Sequence, residues 1–294
     1  MGLGPAAIKL NLELWQRGYF KGMKSAIDIG SQEMHIAQAD FEGMVKAACV
    51  PGYDESKFKN LKHYPGRPGC STKPFYGLLG LQEYACIDMN GEWGAVPHDL
   101  NAPLEDKSLY NKFDVVTDHG CNEHVFNVVE AYRTLHRLCK PGGLMVICQG
   151  VFGGNGYFLF DLSFFEGVAA ANNLKILFAG YLLTLKTLTK AGSANQYFIP
   201  AQRDLLETVD LSKIGSISIC YVLQKQSDED FRMPYQDTYM ARVYGHQGYQ
   251  LQFLPDPPSR SYVPMQASVL DVTRTKDLIK IIGKRITNKI RKKG

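Results

Sequence analysis

No two of the seven cysteines stand in a C-x-x-C pair and their number is odd, so the chain encodes neither a zinc knuckle nor a closed disulfide framework. They lie at 49, 70, 86, 121, 139, 148 and 220, mostly inside apolar runs, where reduced thiols of a cytoplasmic protein sit. No run reaches the roughly 18 apolar residues of a spanning helix. The nearest approach, Leu174 to Leu185, is broken by Lys175 and Gly180. A basic segment followed by an apolar run and a small-residue cleavage site is missing at the start, and Ala6 stands where a myristoylation signal needs Ser or Thr. G-x-G-x-x-G with an acid about 20 residues on is also missing, which removes the dinucleotide fingerprint. These gaps predict a soluble, cytoplasmic protein that does not cross a membrane.

Hydrophobic residues make up 45% and charged residues 21%, a balance that buries a core and rules out a disordered chain. The net charge of +4 is unevenly spread: residues 274–294 hold nine Lys or Arg against Asp277 alone, a local +8 that leaves −4 for the rest. A uniformly basic nucleic-acid binder has no such division, so no nucleic-acid partner is favoured.

Five short apolar runs stand out, the first ending at a glycine and the next two reaching an acid at Asp88 and Asp99. They are Ala26 to Gly30, Tyr84 to Asp88, Ala95 to Leu100, Phe113 to Asp118 and Leu144 to Cys148. Each reads as a strand, with Leu174 to Phe178 and Ser216 to Leu223 as two more. Helical periods follow Gly30 as far as Cys49 and cover Phe126 to Cys139, where Pro141-Gly142-Gly143 is expected to stop the helix. Strands alternating with helices imply an α/β sandwich with a mostly parallel sheet. Residues 51–77, rich in Pro, Gly, Lys and Tyr, read as an inserted loop without regular structure. The expected domain is 24–226, preceded by a segment 1–23 and followed by an extension 227–294.

In such sheets ligands bind beyond the carboxyl ends of the strands, so the residues closing each run carry the functional reading. Gly30 lets a nucleoside approach the backbone, Asp88 can accept from ribose hydroxyls, and Asp99 can accept from an adenine amino group.

Four segments in this order resemble the class I S-adenosylmethionine-dependent methyltransferases. They are Ile27-Asp28-Ile29-Gly30, Cys86-Ile87-Asp88, His98-Asp99-Leu100, and Phe113-Asp114-Val115-Val116 with Leu138-Cys139-Lys140-Pro141-Gly142-Gly143. The resemblance implies a Rossmann-like sheet of seven strands whose last, Ser216 to Leu223, runs antiparallel. It implies S-adenosyl-L-methionine as cofactor, with its methionine part lined by Asp28, Gly30, Ser31 and Gln32, its ribose by Asp88 beside Met89, its adenine by Asp99 and Leu100, and a floor from Asp118 to Gly120 that includes His119. Two departures from the family stand out. Ser31-Gln32-Glu33 replaces further alternating glycines, and 58 positions separate Gly30 from Asp88 because of the insert.

Transfer to oxygen or nitrogen needs an aligned acceptor and a base. Asp118, His119, Glu123 and His124 cluster after the fourth strand; His119 or His124 is expected to act as base, with Asp118 beside it, and no metal is required. Tyr157 and Asp161 are expected to meet the acceptor. The insert and residues 176–208 are expected to wall a pocket for a small molecule. A nucleic-acid methyltransferase gripping phosphate with the tail, and an inactive scaffold, are the competing readings. In the tail, Leu278, Ile282, Ile286 and Ile290 recur every four residues among Lys280, Lys284, Lys289 and Arg291. That pattern suits a basic amphipathic helix, either on an anionic membrane surface or docked on the domain.

Overall fold

Successive strand side chains point to opposite faces, so Ile27 and Ile29 enter one core cluster while Ala26 enters another. The same division recurs at Val116 against Val115 and at Met145 and Ile147 against Leu144 and Val146. A sheet buried on both faces results. The computed structural model describes residues 2–59, 61, 69–186 and 196–235, with 275, 276, 278–280 and 282 in the tail.

In chain order the elements are β1 (Gly2–Leu3), α1 (Pro5–Gln16), β2 (Ser25–Ile29), β3 (Glu33–Met34), α2 (Gln38–Ala47), α3 (Lys73–Leu78), β4 (Glu83–Ile87), β5 (Phe113–His119), α4 (Val128–Leu138), β6 (Cys139–Phe152), α5 (Leu162–Ala171), β7 (Leu174–Leu185), β8 (Gln196–Pro200) and β9 (Ile214–Lys225). The seven-stranded sheet runs β4-β2-β5-β6-β9-β7-β8. Strands β4, β2, β5 and β6 are mutually parallel, whereas β9 is antiparallel to both β6 and β7. Helices α4 and α5 pack Tyr132, Leu135, Phe165 and Val168 on one face; α1, α2 and α3 pack Ile8, Leu12, Phe41 and Phe75 on the other. The fold is the expected three-layer Rossmann-like α/β sandwich with β9 reversed, and β8, antiparallel to β7, adds a second reversed strand at the edge.

Four expectations change. Ala95 to Leu100 is not a strand: Val96 alone bridges Ile87, donating to the Cys86 carbonyl at 2.8 Å. Pro97 follows immediately and has no N–H to extend the ladder. The seventh strand is β8, and residues 174–185 with 196–200 form that edge of the sheet rather than a pocket wall. The insert, outside 60 and 62–68, is packed. Phe58, Phe75 and Tyr76 are buried, and Phe58 lies 4.7 Å centroid to centroid from Phe41. Finally, α4 ends at Leu138 and β6 begins at Cys139 in extended conformation, so the Lys-Pro-Gly-Gly run is no helix cap. It forms the irregularity between the Phe113–Cys139 and Val115–Leu144 pairs. A Cβ at Gly143 would lie 2.8 Å from the Asp114 carbonyl oxygen, so only glycine passes there.

Candidate functional site

The carboxyl edge of β2, β4 and β5 gathers the candidate residues around Gly30. The Gly30 φ of +82° favours glycine, and its amide donates to the Ile87 carbonyl at 2.8 Å, joining the ends of β2 and β4. A Cβ would stand 2.9 Å from Cys121 Sγ, so the β5 loop closes against the bare backbone. One residue on, the Ser31 amide donates to Asp88 Oδ2 at 2.8 Å, and Asp88 Oδ1 accepts from the Asn90 amide at 3.2 Å. Asp88 is half-buried and, as a carboxylate, keeps lone pairs for further donors. Gly30 and Asp88 are thus brought into one junction by direct hydrogen bonds.

Asp99 is exposed and accepts from the Asn101 amide at 2.9 Å. Asn101 in turn accepts from the Asn127 amide before α4, which ties this turn to the same end of the sheet. Leu100 is buried in the core beside α4, so it does not line a cleft. Met89 stands exposed beyond Asp88, with Trp93 near it in sequence at a φ of +58°.

Asp28 departs from its expected role. It is fully buried, and its carboxylate accepts from Thr72, Thr117 and Tyr84, the last at 2.8 Å. Burial pushes its pKa up to about 6 against the pull of those three hydroxyls. Asp28 fastens the insert to β2 and β5 and presents nothing to a ligand.

The loop after β5 is held by buried carboxylates. Asp118 accepts from the amides of Cys121 and Asn122 and from Gln149 Nε2, and burial raises its pKa to about 7. Gln149 accepts from the Glu123 amide through its carbonyl oxygen, and Glu123 Oε2 accepts from the Gly150 amide. Asp118 is therefore a clamp, closed on all sides, and not an accessible base. Glu123 lies among glycines: added Cβ atoms at Gly150 and Gly156 would come within 2.7 and 2.6 Å of its atoms. Its Oε1 faces His124 Nε2 at 3.6 Å, and His124 is exposed with 38% of its side chain open.

His119 is only 5% exposed, and burial depresses its pKa to about 4, so the ring is neutral near pH 7. Neither ring nitrogen has a hydrogen-bond partner, and the same is true of both amide atoms of Asn122 and of Gln32 Oε1. A buried polar atom of this kind calls for a partner such as water, an ion or a polar ligand. Gln32 Nε2, which donates to the Ile29 carbonyl at 2.6 Å, would lie 3.3 Å from a Cβ on Gly30. Open acceptors and donors beside a bare glycine and a half-buried aspartate suit the amino-acid and ribose groups of S-adenosylmethionine.

Beyond this edge the surface turns aromatic. Phe126 is 73% and Tyr157 71% exposed, with ring centroids 5.7 Å apart, and Leu159 is exposed nearby in sequence. Asp161, expected at the acceptor, instead caps α5 by accepting from the Ser163 amide at 2.9 Å. The contributions of Asn122, Gln149 and the glycines around Glu123 were not read from the sequence. Asn122 lies within the loop after β5, and only the fold brings Gln149 and Gly150 against that loop.

Residues 85–147 match the model of a methyltransferase domain family. That stretch runs from β4 through β6 and contains Asp88, the Val96 bridge, β5 and the clamped loop. A search of curated protein sequences gives no match. Among solved structures, the chain is similar to a SAM-dependent methyltransferase from Archaeoglobus fulgidus at 13% identity and a TM-score of 0.36, covering 76% of this chain and 95% of that one. It is similar to Haemonchus contortus phosphoethanolamine N-methyltransferase 2, solved with S-adenosyl-L-methionine, at 15% identity and a TM-score of 0.36, covering 74% and 53%. A third, the 1,6-didemethyltoxoflavin N1-methyltransferase of Burkholderia thailandensis, shares 13% identity at a TM-score of 0.31, covering 75% and 79%. The methyltransferase domain match thus falls on the part of the chain that carries Asp88 and the clamped loop, within a sheet whose β9 is reversed and beside the Gly30–Asp88 junction.

Proposed function

We propose that this enzyme methylates an oxygen or nitrogen of a small acceptor, with His124 as the base that removes the acceptor proton. The observation carrying the reading is the exposed His124 imidazole paired with Glu123, whose other carboxylate oxygen is pinned by the Gly150 amide. Of the three residues expected to do the chemistry, His124 alone is open to an incoming molecule; His119 and Asp118 are buried. When bound, S-adenosylmethionine supplies an electrophilic methyl group on sulfur.

The chain's own residues have separable tasks. Gly30 and Ser31 bring backbone to the cofactor, Asp88 accepts from its ribose, and Gln32, His119 and Asn122 complete its polar contacts. Glu123 Oε1 stands 3.6 Å from His124 Nε2, placed to steady an imidazolium. Phe126 and Tyr157 offer apolar faces that shed water around the acceptor. The −4 charge outside the tail supports a small acceptor over a phosphate polymer.

The test pairs binding with turnover. S-adenosylhomocysteine titration should give one site per chain in wild type and in His124→Ala. A panel of phenols, sugar alcohols and amines should yield acceptor-dependent S-adenosylhomocysteine release that His124→Ala lowers by about 10²–10⁴-fold. Release supported only by carbon acceptors, or full activity of His124→Ala, would overturn the assignment.

A further inference from the structure

Of the apolar row expected on the basic tail, Ile286 and Ile290 lie outside the described residues, and among those described no helix is long and apolar enough to cross a membrane. The carboxyl edge of the sheet carries a further feature. Strand β6 is parallel to β5, so it ends at the edge that holds Gly30, Asp88 and Glu123, and β9, antiparallel to β6, starts there. Beside that junction lies a cavity of about 470 Å³. Its walls are Val151 and Phe152 at the end of β6, Ile217 at the start of β9, and Leu206, Val209 and Leu211 from the segment before β9. Pockets that hold small molecules span about 300–1,000 Å³.

The chain itself joins this cavity to the base. Gly150, whose amide holds Glu123 Oε2, is followed directly by Val151 in the wall, and Phe152 pairs with Ile217 across the next strand. Neighbouring strands stand about 4.8 Å apart, so the cavity opens within one strand spacing of the residue that steadies His124. Gly153 leaves no room for a Cβ beside the Gly215 carbonyl oxygen, so the end of β6 and the start of β9 are in backbone contact there. The lining contains no Lys, Arg or His. Asp210 accepts from the Ser212 amide at 3.1 Å and from its hydroxyl at 2.7 Å, and with Glu207 it sets negative charge at the rim. An anionic molecule finds repulsion here. Phe152 and Leu211, 36% and 46% exposed, instead offer apolar surface that gains by leaving water.

We infer that this cavity is the apolar subsite of the methyl acceptor, an uncharged amphipathic molecule that presents its hydroxyl or amino group to His124 and buries an alkyl or aryl body against Phe152 and Leu211. The inference rests on the reading of His124 as base and adds to it the class of acceptor.

Calorimetric titration of the full chain, with S-adenosylhomocysteine present, tests this with phenol, para-ethylphenol and para-butylphenol as probes. Each buried methylene should tighten binding about fourfold, so para-butylphenol should bind about 10²-fold more tightly than phenol. The anionic para-hydroxyphenylbutanoate, of similar length, should gain nothing over phenol. Leu211→Asp places a charge in the wall and Leu211→Trp fills the cavity; each should remove most of the gain with para-butylphenol while keeping wild-type circular dichroism. Affinity that does not rise along the series, an undiminished gain in both Leu211 variants, or a butanoate that binds as tightly as para-butylphenol would refute the inference. Conversion of a dimer to a monomer by Leu211→Asp in sedimentation would also refute it, giving the cavity to a second copy of the chain. Rising affinity without His124-dependent methylation of para-butylphenol would support the cavity and fault the base, so the two readings fail separately.

Discussion

Replacing Gly30 with alanine loads two separate strains onto the pivot of the site. A φ of +82° costs an alanine about 1–2 kcal/mol, whatever space surrounds it. The added Cβ also meets Cys121 Sγ at 2.9 Å and Cys121 Cβ at 3.3 Å. Cys121 is buried, and its amide is tied to Asp118, so it has little room to retreat; overpacking of this kind costs about 1–3 kcal/mol. Gly30→Ala should therefore lower unfolding free energy by about 2–5 kcal/mol, read by urea denaturation with circular dichroism. The two strains separate in a double-mutant cycle. Measured against Cys121→Ala, the alanine at 30 no longer meets Sγ and its cost should shrink to the backbone part, about 1–2 kcal/mol, leaving a coupling of about 1 kcal/mol or more. S-adenosylhomocysteine affinity should fall in both backgrounds, because the turn that brings backbone to the ligand is displaced in each. An identical cost with and without Cys121 Sγ would show that the two loops are not in contact, and a cost under about 0.5 kcal/mol would show that the turn is not left-handed.

Other outcomes follow from particular groups. Asp28 has a folded pKa of about 6 against an ordinary 3.8, so its stabilising contribution is complete below pH 3.8 and is lost as pH rises through 6. Relative to Asp28→Asn, wild type should lose up to about 3 kcal/mol between those limits in pH-dependent urea melts. A flat difference would remove the buried carboxylate from the account. His119 has the opposite sign: its pKa is depressed to about 4, so its contribution is present above pH 6.5 and is lost as pH falls through 4. His119→Gln should flatten that acid limb in cofactor-free protein. Asp88→Ala removes the acceptor of the Ser31 amide and, on the proposed cofactor placement, that of the ribose hydroxyls, and should weaken S-adenosylhomocysteine binding about 10–100-fold by calorimetry. Lys225 Nζ donates to Asn111 Oδ1 and to the carbonyls of His136 and Cys139, where α4 meets β6. Lys225→Met should cost about 2–4 kcal/mol, and a neutral result would mean that water replaces the ammonium there.

Local pattern was sufficient for much of the architecture. Runs such as Ala26 to Gly30 and Phe113 to Asp118 are legible because a strand buried on both faces needs continuous apolar residues, and α4 is legible because its period is 3.6. The reversed β9 was anticipated only through family resemblance, since β-branched content carries no direction. Where residue type and tertiary contact compete, sequence could not decide. Pro97 and the turn before it left Ala95 to Leu100 as a bridge, while Gln196 to Pro200, too short a run to stand out despite Tyr197, Phe198 and Ile199, became a strand because β7 offered a free edge. The site divides in the same way. Residues that end strands, Gly30 and Asp88, were readable from position alone. Which of the loop's acids is buried depends on Gln149 and Gly150 arriving from β6, just as Asp28 on β2 is sealed by Thr72 arriving from the insert. Local sequence determined where polar groups end each strand; only packing between distant segments decided which of them are sealed in as clamps and which stay open to a ligand, because burial and hydrogen-bond partners belong to the assembled sheet.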